Sequence, residues 1–285
     1  MVNNNDVMFL EEMNWKQIDG LDRNKTIFFL PISIIEEHGP HLPVGMDFLV
    51  SKDLAIETIK FLNRKKPELT YVLLPAVPLG HCKTNKDFPG TISVSGKVIK
   101  DVVYGIGSSL GGHGFKYLII FNWHLDFTHL KGIYQGMKKI MSKYDMRVYE
   151  PTGPYFWNKK IDLWDVELKK QGVDFNFDPE EQFHAGFRET SLMKYRYPYL
   201  VDEIHKKLPH VYVDLMSRKS HGKTFKELGL KDGYVGSPSN ANEEYGKLYF
   251  WKMIEVYTES VLALYEGKEL LDMPRFLKLF MKLPF

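Results

Sequence analysis

The sequence predicts an α/β protein with a mostly parallel central sheet and helices on both faces. Three observations carry this reading. Apolar runs without strict alternation at 26–35, 70–77 and 116–122 read as strands buried on both sides. Between them lie stretches whose apolar residues recur at helical spacing. Strand, helix, strand is the order that a parallel sheet with crossover helices requires.

Residues 1–25 are polar and mixed, with Phe9, Leu10, Trp15 and Ile18 as packing points of a short helix. Thr26 to Ile35 is the first strand. Asp47 precedes a helix reaching about Lys66, with Leu54, Ala55, Thr58, Ile59 and Leu62 on one stripe and Pro67 beyond its end. Thr70 to Val77 is the second strand, and Gly80, Pro89 and Gly90 mark the following segment as loop. Ser95 is placed to cap a helix built on Val98, Ile99, Val102, Val103, Ile106 and Leu110, which Gly111, Gly112 and Gly114 end. Lys116 to Asn122 is the clearest strand, followed by a helix on Leu130, Ile133, Met137, Ile140 and Met141, then a strand from Met146 to Glu150. From Pro151 to Phe183 the pattern weakens, which suits a flap or an oligomer contact. His184 to Pro198 reads as a loop entering a short helix, residues 199–232 as irregular, and the last helix carries Trp251, Ile254, Val261, Leu262 and Tyr265. No repeat, low-complexity tract or linker divides the chain, so residues 1–285 are expected to form one domain.

A chain of 285 residues can bury roughly three quarters of its unfolded surface. Its formal charge of +2 comes from dispersed residues, which excludes a basic nucleic-acid footprint or membrane-surface patch. The single cysteine, Cys82, excludes an internal disulfide. The N-terminus lacks signal-peptide character, and no apolar run approaches the roughly 18 residues of a membrane helix. A soluble, cytoplasmic protein is the expectation.

The chemistry concentrates where two strands end. In the stretch LPISIIEEHGPHLPVGMD, Glu36 and His38 are two residues apart and project to one side of extended chain, and Asp47 returns after a turn. His124 and Asp126 repeat that spacing in NWHLD after the 116–122 strand. Imidazole nitrogens with carboxylate oxygens suit zinc, manganese or iron. Two pairs plus Asp47 make five ligands, a set for two ions bridged by one carboxylate. The plainer alternatives are solvated carboxylates and helix caps at Asp47 and Asp126. His184 is placed as a proton shuttle and Glu189 as a ligand or its support, beside the small residues Ala185 and Gly186.

These residues carry a resemblance. EEHGPHLPVGMD resembles the signature of the creatininase (creatinine amidohydrolase) family, and DFPGTISVS, FNWH, HAGFRETSLM and GYVGSPSNANEEYGK extend the match in order along nearly the whole chain. The resemblance implies a three-layer α/β/α fold, a binuclear metal site with two divalent ions (Zn2+ and/or Mn2+), and a homohexamer. Carried over by position, Glu36, His38, Asp47 and His124 are metal ligands with Asp47 bridging. Asp126 stands where creatininase has its fifth ligand, a glutamate. His184 matches the catalytic histidine, and Glu189 the glutamate of an E-T-S motif. This chain departs from the family at the substrate. Asp178 to Glu181 replace a ring-covering tryptophan, Cys82 replaces a serine and Asn85 a histidine, so Cys82, Glu180 and Glu181, with Trp157 as a flap aromatic, are the expected substrate contacts.

The expected activity is hydrolysis of a small cyclic amide by a metal-activated bridging hydroxide. Two alternatives are a hydrolase opening a cyclic ketone or lactone in sugar or cyclitol breakdown, and a non-catalytic metal-binding assembly protein.

Overall fold

The computed structural model describes residues 7–173, 175, 177–178 and 181–285. Five strands, β1 (Met8–Phe9), β2 (Thr26–Pro31), β3 (Thr70–Leu73), β4 (Tyr117–Phe121) and β5 (Arg147–Tyr149), form one sheet in the order β1-β3-β2-β4-β5. Every pair is parallel, with Phe28 opposite both Val72 and Leu118. Strand residues alternate between two cores. Ile27, Phe29, Tyr71, Leu73, Ile119 and Phe121 face one of them. Phe28, Leu30, Val72, Leu118, Ile120 and Val148 face the other.

Helices cover both faces. The first core is closed by α2 (Met46–Lys65), α7 (Phe187–Arg196) and α8 (Glu243–Glu266), and the second by α3 (Gly96–Gly112) and α4 (Phe127–Lys143). This is the expected three-layer arrangement. Ser95 caps α3 as its position predicts, its side chain accepting the Val98 N–H. Both long strand runs stop earlier than the apolar pattern suggests. Beyond β2, Ile32 and Ile35 make only isolated bridges, to Val77 and Ile92, because the chain turns there to present the polar residues that follow.

Among the described residues, the segment from Pro151 to Phe183, where the pattern weakens, contains the helices α5 (Thr152–Trp157) and α6 (Lys160–Lys170). Their stripe is masked by a charge: between the buried Ile161 and Leu168 sits Asp165, which holds Arg188 of α7 through bonds at 2.5 and 3.0 Å and accepts the Tyr245 hydroxyl. Lys159, at φ 55°, breaks the chain between the two helices. A further helix, α9 (Arg275–Lys282), follows α8 and packs Leu277 and Met281 against Leu130. Trp15–Asp19 forms α1.

The connection leaving β2 runs through α2 to β3, whereas the one leaving β4 runs through α4 to β5 on the other side. β2 and β4 are neighbours, so strand order reverses between them. A crevice at the carboxyl ends of strands forms at such a switch point. Both polar clusters read from the sequence are delivered there.

Candidate metal centre

Glu36 and His38 follow β2 in extended chain, and Glu36 N–H is fixed by the Val44 carbonyl at 2.9 Å. Gly39, at φ 69°, then turns the loop, where a Cβ would meet the His41 ring at 2.8 Å. Asp47 lies in the first turn of α2. Gly45 occupies the N-cap position, so Asp47 is not the cap. His124 follows β4, held by Asn122, whose side chain accepts the His124 N–H and donates to its carbonyl.

The two imidazoles are anchored on opposite nitrogens. His38 donates Nδ1–H to the Glu36 carbonyl at 3.0 Å, which leaves Nε2 facing Asp47 Oδ1 at 3.2 Å and Glu189 Oε2 at 3.9 Å. His124 donates Nε2–H to the His81 carbonyl at 2.8 Å, which leaves Nδ1 facing Glu36 Oε1 at 2.9 Å and Asp47 Oδ2 at 3.3 Å. A backbone carbonyl on one ring nitrogen fixes the tautomer that presents the other, the arrangement usual around metal-ligating histidines. Asp47 therefore stands between two donor groups, His38, Asp47 and Glu189 on one side and Glu36, His124 and Cys82 on the other, and a third group joins Glu36 and His38 to His184.

The electrostatics suit a divalent cation. Burial opposes ionisation throughout, yet His124 holds Glu36 below the usual carboxylate range, and His38 with His124 does the same for Asp47. Against burial, Asp47 and Glu189 lift His38 to about 10, and Glu36 and Asp47 lift His124. Burial, with Asp47 adding, pushes Glu189 up to about 7. Protons on His38 and His124 offset the charges of Glu36 and Asp47, while Glu189 is the carboxylate that burial raises. His38 Nε2 and Asp47 Oδ2 are nevertheless buried without hydrogen-bond partners, which two divalent ions would supply. The donor set fits the metals that the sequence suggested.

Asp126 is given other work. It is the N-cap of α4, accepting His129 N–H at 2.8 Å, and the same oxygen meets His81 Nδ1 at 2.8 Å. Both contacts fall on Oδ1, and among the described residues Asp126 is in none of the groups whose donor atoms lie within 4.8 Å of one another. Glu189, in the first turn of α7, takes the place beside His38. Ala185, at φ 50°, aims its N–H at Glu189 Oε2 at 2.6 Å and fixes that carboxylate.

His184 reaches the cluster from the other side, its ring 4.4 Å from that of His38. Its Nε2 lies 2.7 Å from the Glu37 carbonyl and 2.8 Å from the Asn85 amide nitrogen. Burial and neighbouring His38 lower it to about 4 and keep it neutral. Cys82 is buried against Glu36 and His124, and burial with the Glu36 charge raises its free thiol well above the ordinary value. Glu181 pairs with His210 at 3.1 Å. Trp157 packs on Phe127 at 4.6 Å in the satellite core of α9 instead of standing as a free flap. Glu180 lies outside the described residues.

Two contributors, His81 and Gly233, escaped the sequence reading, and a third, Asn85, was read only as a departure from the family. Asn85 sits between Glu36 Oε2 (3.3 Å), the Glu37 carbonyl (3.2 Å) and His184 Nε2 (2.8 Å). His81 supplies a carbonyl to His124 and a ring to Asp126. Gly233 makes room for Glu37, since a Cβ there would overlap its carboxylate. No ligand spacing marks these residues, and only the Gly in GYVGS carried a signal.

A parallel α/β protein with buried carboxylate–imidazole groups at the switch point of its sheet is thus defined. A sequence profile of the creatininase family, described as creatinine amidohydrolase, matches residues 11–261, and the chain belongs to that family. It is 25% identical over 209 residues to creatinine amidohydrolase of Pseudomonas putida, covering 68% of this chain and 74% of that protein. It is 21% identical over 229 residues to the mycofactocin precursor peptide peptidase of Mycolicibacterium smegmatis strain ATCC 700084, covering 79% and 80%. A manganese form of creatininase has the same fold, with a TM-score of 0.67 at 20% identity over 91% of this chain and 99% of that one. Among the described residues no helix is long and apolar enough to cross a membrane.

Proposed function

We propose that the protein is a binuclear metal-dependent amidohydrolase that cleaves the C–N bond of a small polar amide, a cyclic amide in the first instance. The observation that carries this is Asp47, whose two oxygens face two imidazoles, each pinned by a backbone carbonyl so that its free nitrogen points inward. Glu36, His38, Asp47, His124 and Glu189 would hold the ions, zinc or manganese, with Asp47 as the bridge. Bound there, the ions supply an acidified water and polarise the substrate carbonyl.

The chain's residues do the rest. His184 is neutral and partly accessible beside His38, placed to take a proton and return it to the leaving nitrogen. Glu37, lifted to about 8 by burial, and Asn85 hold its ring by backbone and amide contacts. Burial of Glu36, His38 and Asp47 excludes bulk water and strengthens every charge interaction in the centre.

Both curated relatives are named for breaking C–N bonds, which favours an amide over the opening of a cyclic ketone or lactone. The intact donor set with His184 favours an enzyme over a non-catalytic assembly protein. Assembly as a homohexamer and a cytoplasmic location are part of the same proposal.

The test is turnover of a panel of cyclic amides and short peptides by zinc- or manganese-loaded protein beside chelated protein and Asp47→Ala. Metal-dependent release of amine from at least one amide, absent in the variant, is expected. Equal turnover by metal-free Asp47→Ala protein contradicts the proposal.

A further inference from the structure

Cys82 is the chain's only cysteine, and the loop after β3 seats it against one half of the cluster. Its sulfur, a Glu36 oxygen and a His124 nitrogen lie within 4.8 Å of one another, all on buried residues. The loop holds the sulfur in place. Asn85 directs its backbone N–H at Sγ at 3.4 Å, the Thr84 hydroxyl lies 3.3 Å away, and Ser93 accepts the Cys82 N–H at 2.9 Å. The Asn85 N–H aimed at the sulfur is the kind of outer contact that orients a metal ligand. In the same space Asp47 Oδ2 is buried without a hydrogen-bond partner, 3.3 Å from His124 Nδ1.

We propose that Cys82 ligates the ion held by Glu36 and His124 as a thiolate, giving that half of the centre a Cys-His-Glu-Asp donor set selective for zinc. This rests on the two-ion reading above and goes beyond it. Zinc takes sulfur at about 2.3 Å and nitrogen or oxygen at about 2.0–2.2 Å in tetrahedral geometry. The Cys82, Glu36 and His124 donor atoms lie within 4.8 Å of one another, near enough to share one such ion. The S–H bond breaks as the S–Zn bond forms, and the proton leaves to solvent.

A soft thiolate favours zinc over manganese or magnesium. The other half, with His38, Asp47 and Glu189, has only nitrogen and oxygen donors. That half has three protein donors and keeps the open position that catalytic sites need, whereas four donors close the Cys82 half. His184, beside His38, is on the open side.

The test uses the full chain, stripped by chelator and loaded with cobalt(II) alone, read by its electronic spectrum. Zinc-loaded wild-type protein is examined in parallel by X-ray absorption at the zinc edge. We expect ligand-field bands accompanied by a near-ultraviolet thiolate-to-cobalt charge-transfer band, and a zinc shell with one sulfur at about 2.3 Å. Cys82→Ser should keep the ligand-field bands, lose the charge-transfer band and bind zinc at least about 10- to 100-fold more weakly. Bound cobalt without a charge-transfer band, with only nitrogen and oxygen around zinc, overturns thiolate ligation and leaves the two-ion reading standing. Failure to take up either metal overturns both. The wild-type spectra decide the matter even if the variant does not fold.

Discussion

The His81 ring and the Asp126 carboxylate meet at 2.8 Å. That contact, with the cap that Asp126 gives to α4, supports the proposal that Glu189 of α7, grouped with His38 and Asp47, serves as fifth ligand in place of Asp126. Asp126→Asn should therefore retain the wild-type metal content, while Glu189→Gln should lose about one ion per chain on plasma mass spectrometry. The reverse pattern would return Asp126 to the ligand set.

His184 touches the centre without joining the Asp47 bridge. His184→Ala should bind metal as the wild type does and lose turnover by roughly 10²- to 10⁴-fold, the contribution of a positioned proton carrier. Loss of metal together with turnover would make His184 a ligand instead.

Stability of the metal-free protein should fall as pH rises from about 6.5 to 10. In the folded chain His38 keeps its proton to about 10, against 6.5 when unfolded, and burial raises Glu37 from 4.5 to about 8. Across that window the folded state binds more protons than the unfolded one, so unfolding becomes easier with every step upward. A metal ion replaces the proton on His38, so loaded protein should show a weaker decline. Melting temperatures across this range, with and without zinc, check it; a metal-free protein that grows more stable with pH would refute the assignment.

The Arg188–Asp165 pair ties α7, and with it Glu189, to α6 and α8. Arg188→Ala leaves Asp165 buried and unpaired, which should cost about 3–5 kcal/mol in urea unfolding. Replacing Asp165 with Asn in the same chain should recover part of the loss.

The parallel sheet and both metal-bearing strand ends were legible because buried parallel strands are continuously apolar and their polar residues follow at once, as in FFLPISIIEEH and YLIIFNWH. Helices α5 and α6 were not, because Asp165 interrupts their buried stripe and Arg188, whose charge offsets it, lies 23 residues further on. The same limit governed the centre. Glu36, His38, Asp47 and His124 announce themselves by spacing, but the choice between Asp126 and Glu189 depends on where His81 and Ala185 place a ring and an N–H. Those positions are set by the tertiary fold.

The most direct test of the binuclear centre is elemental analysis of the purified protein beside Asp47→Ala. Asp47 offers one oxygen toward each imidazole, so the account predicts close to two equivalents of zinc or manganese per chain in the wild type and loss of both in the variant. No bound metal, and none taken up on reconstitution, would contradict it.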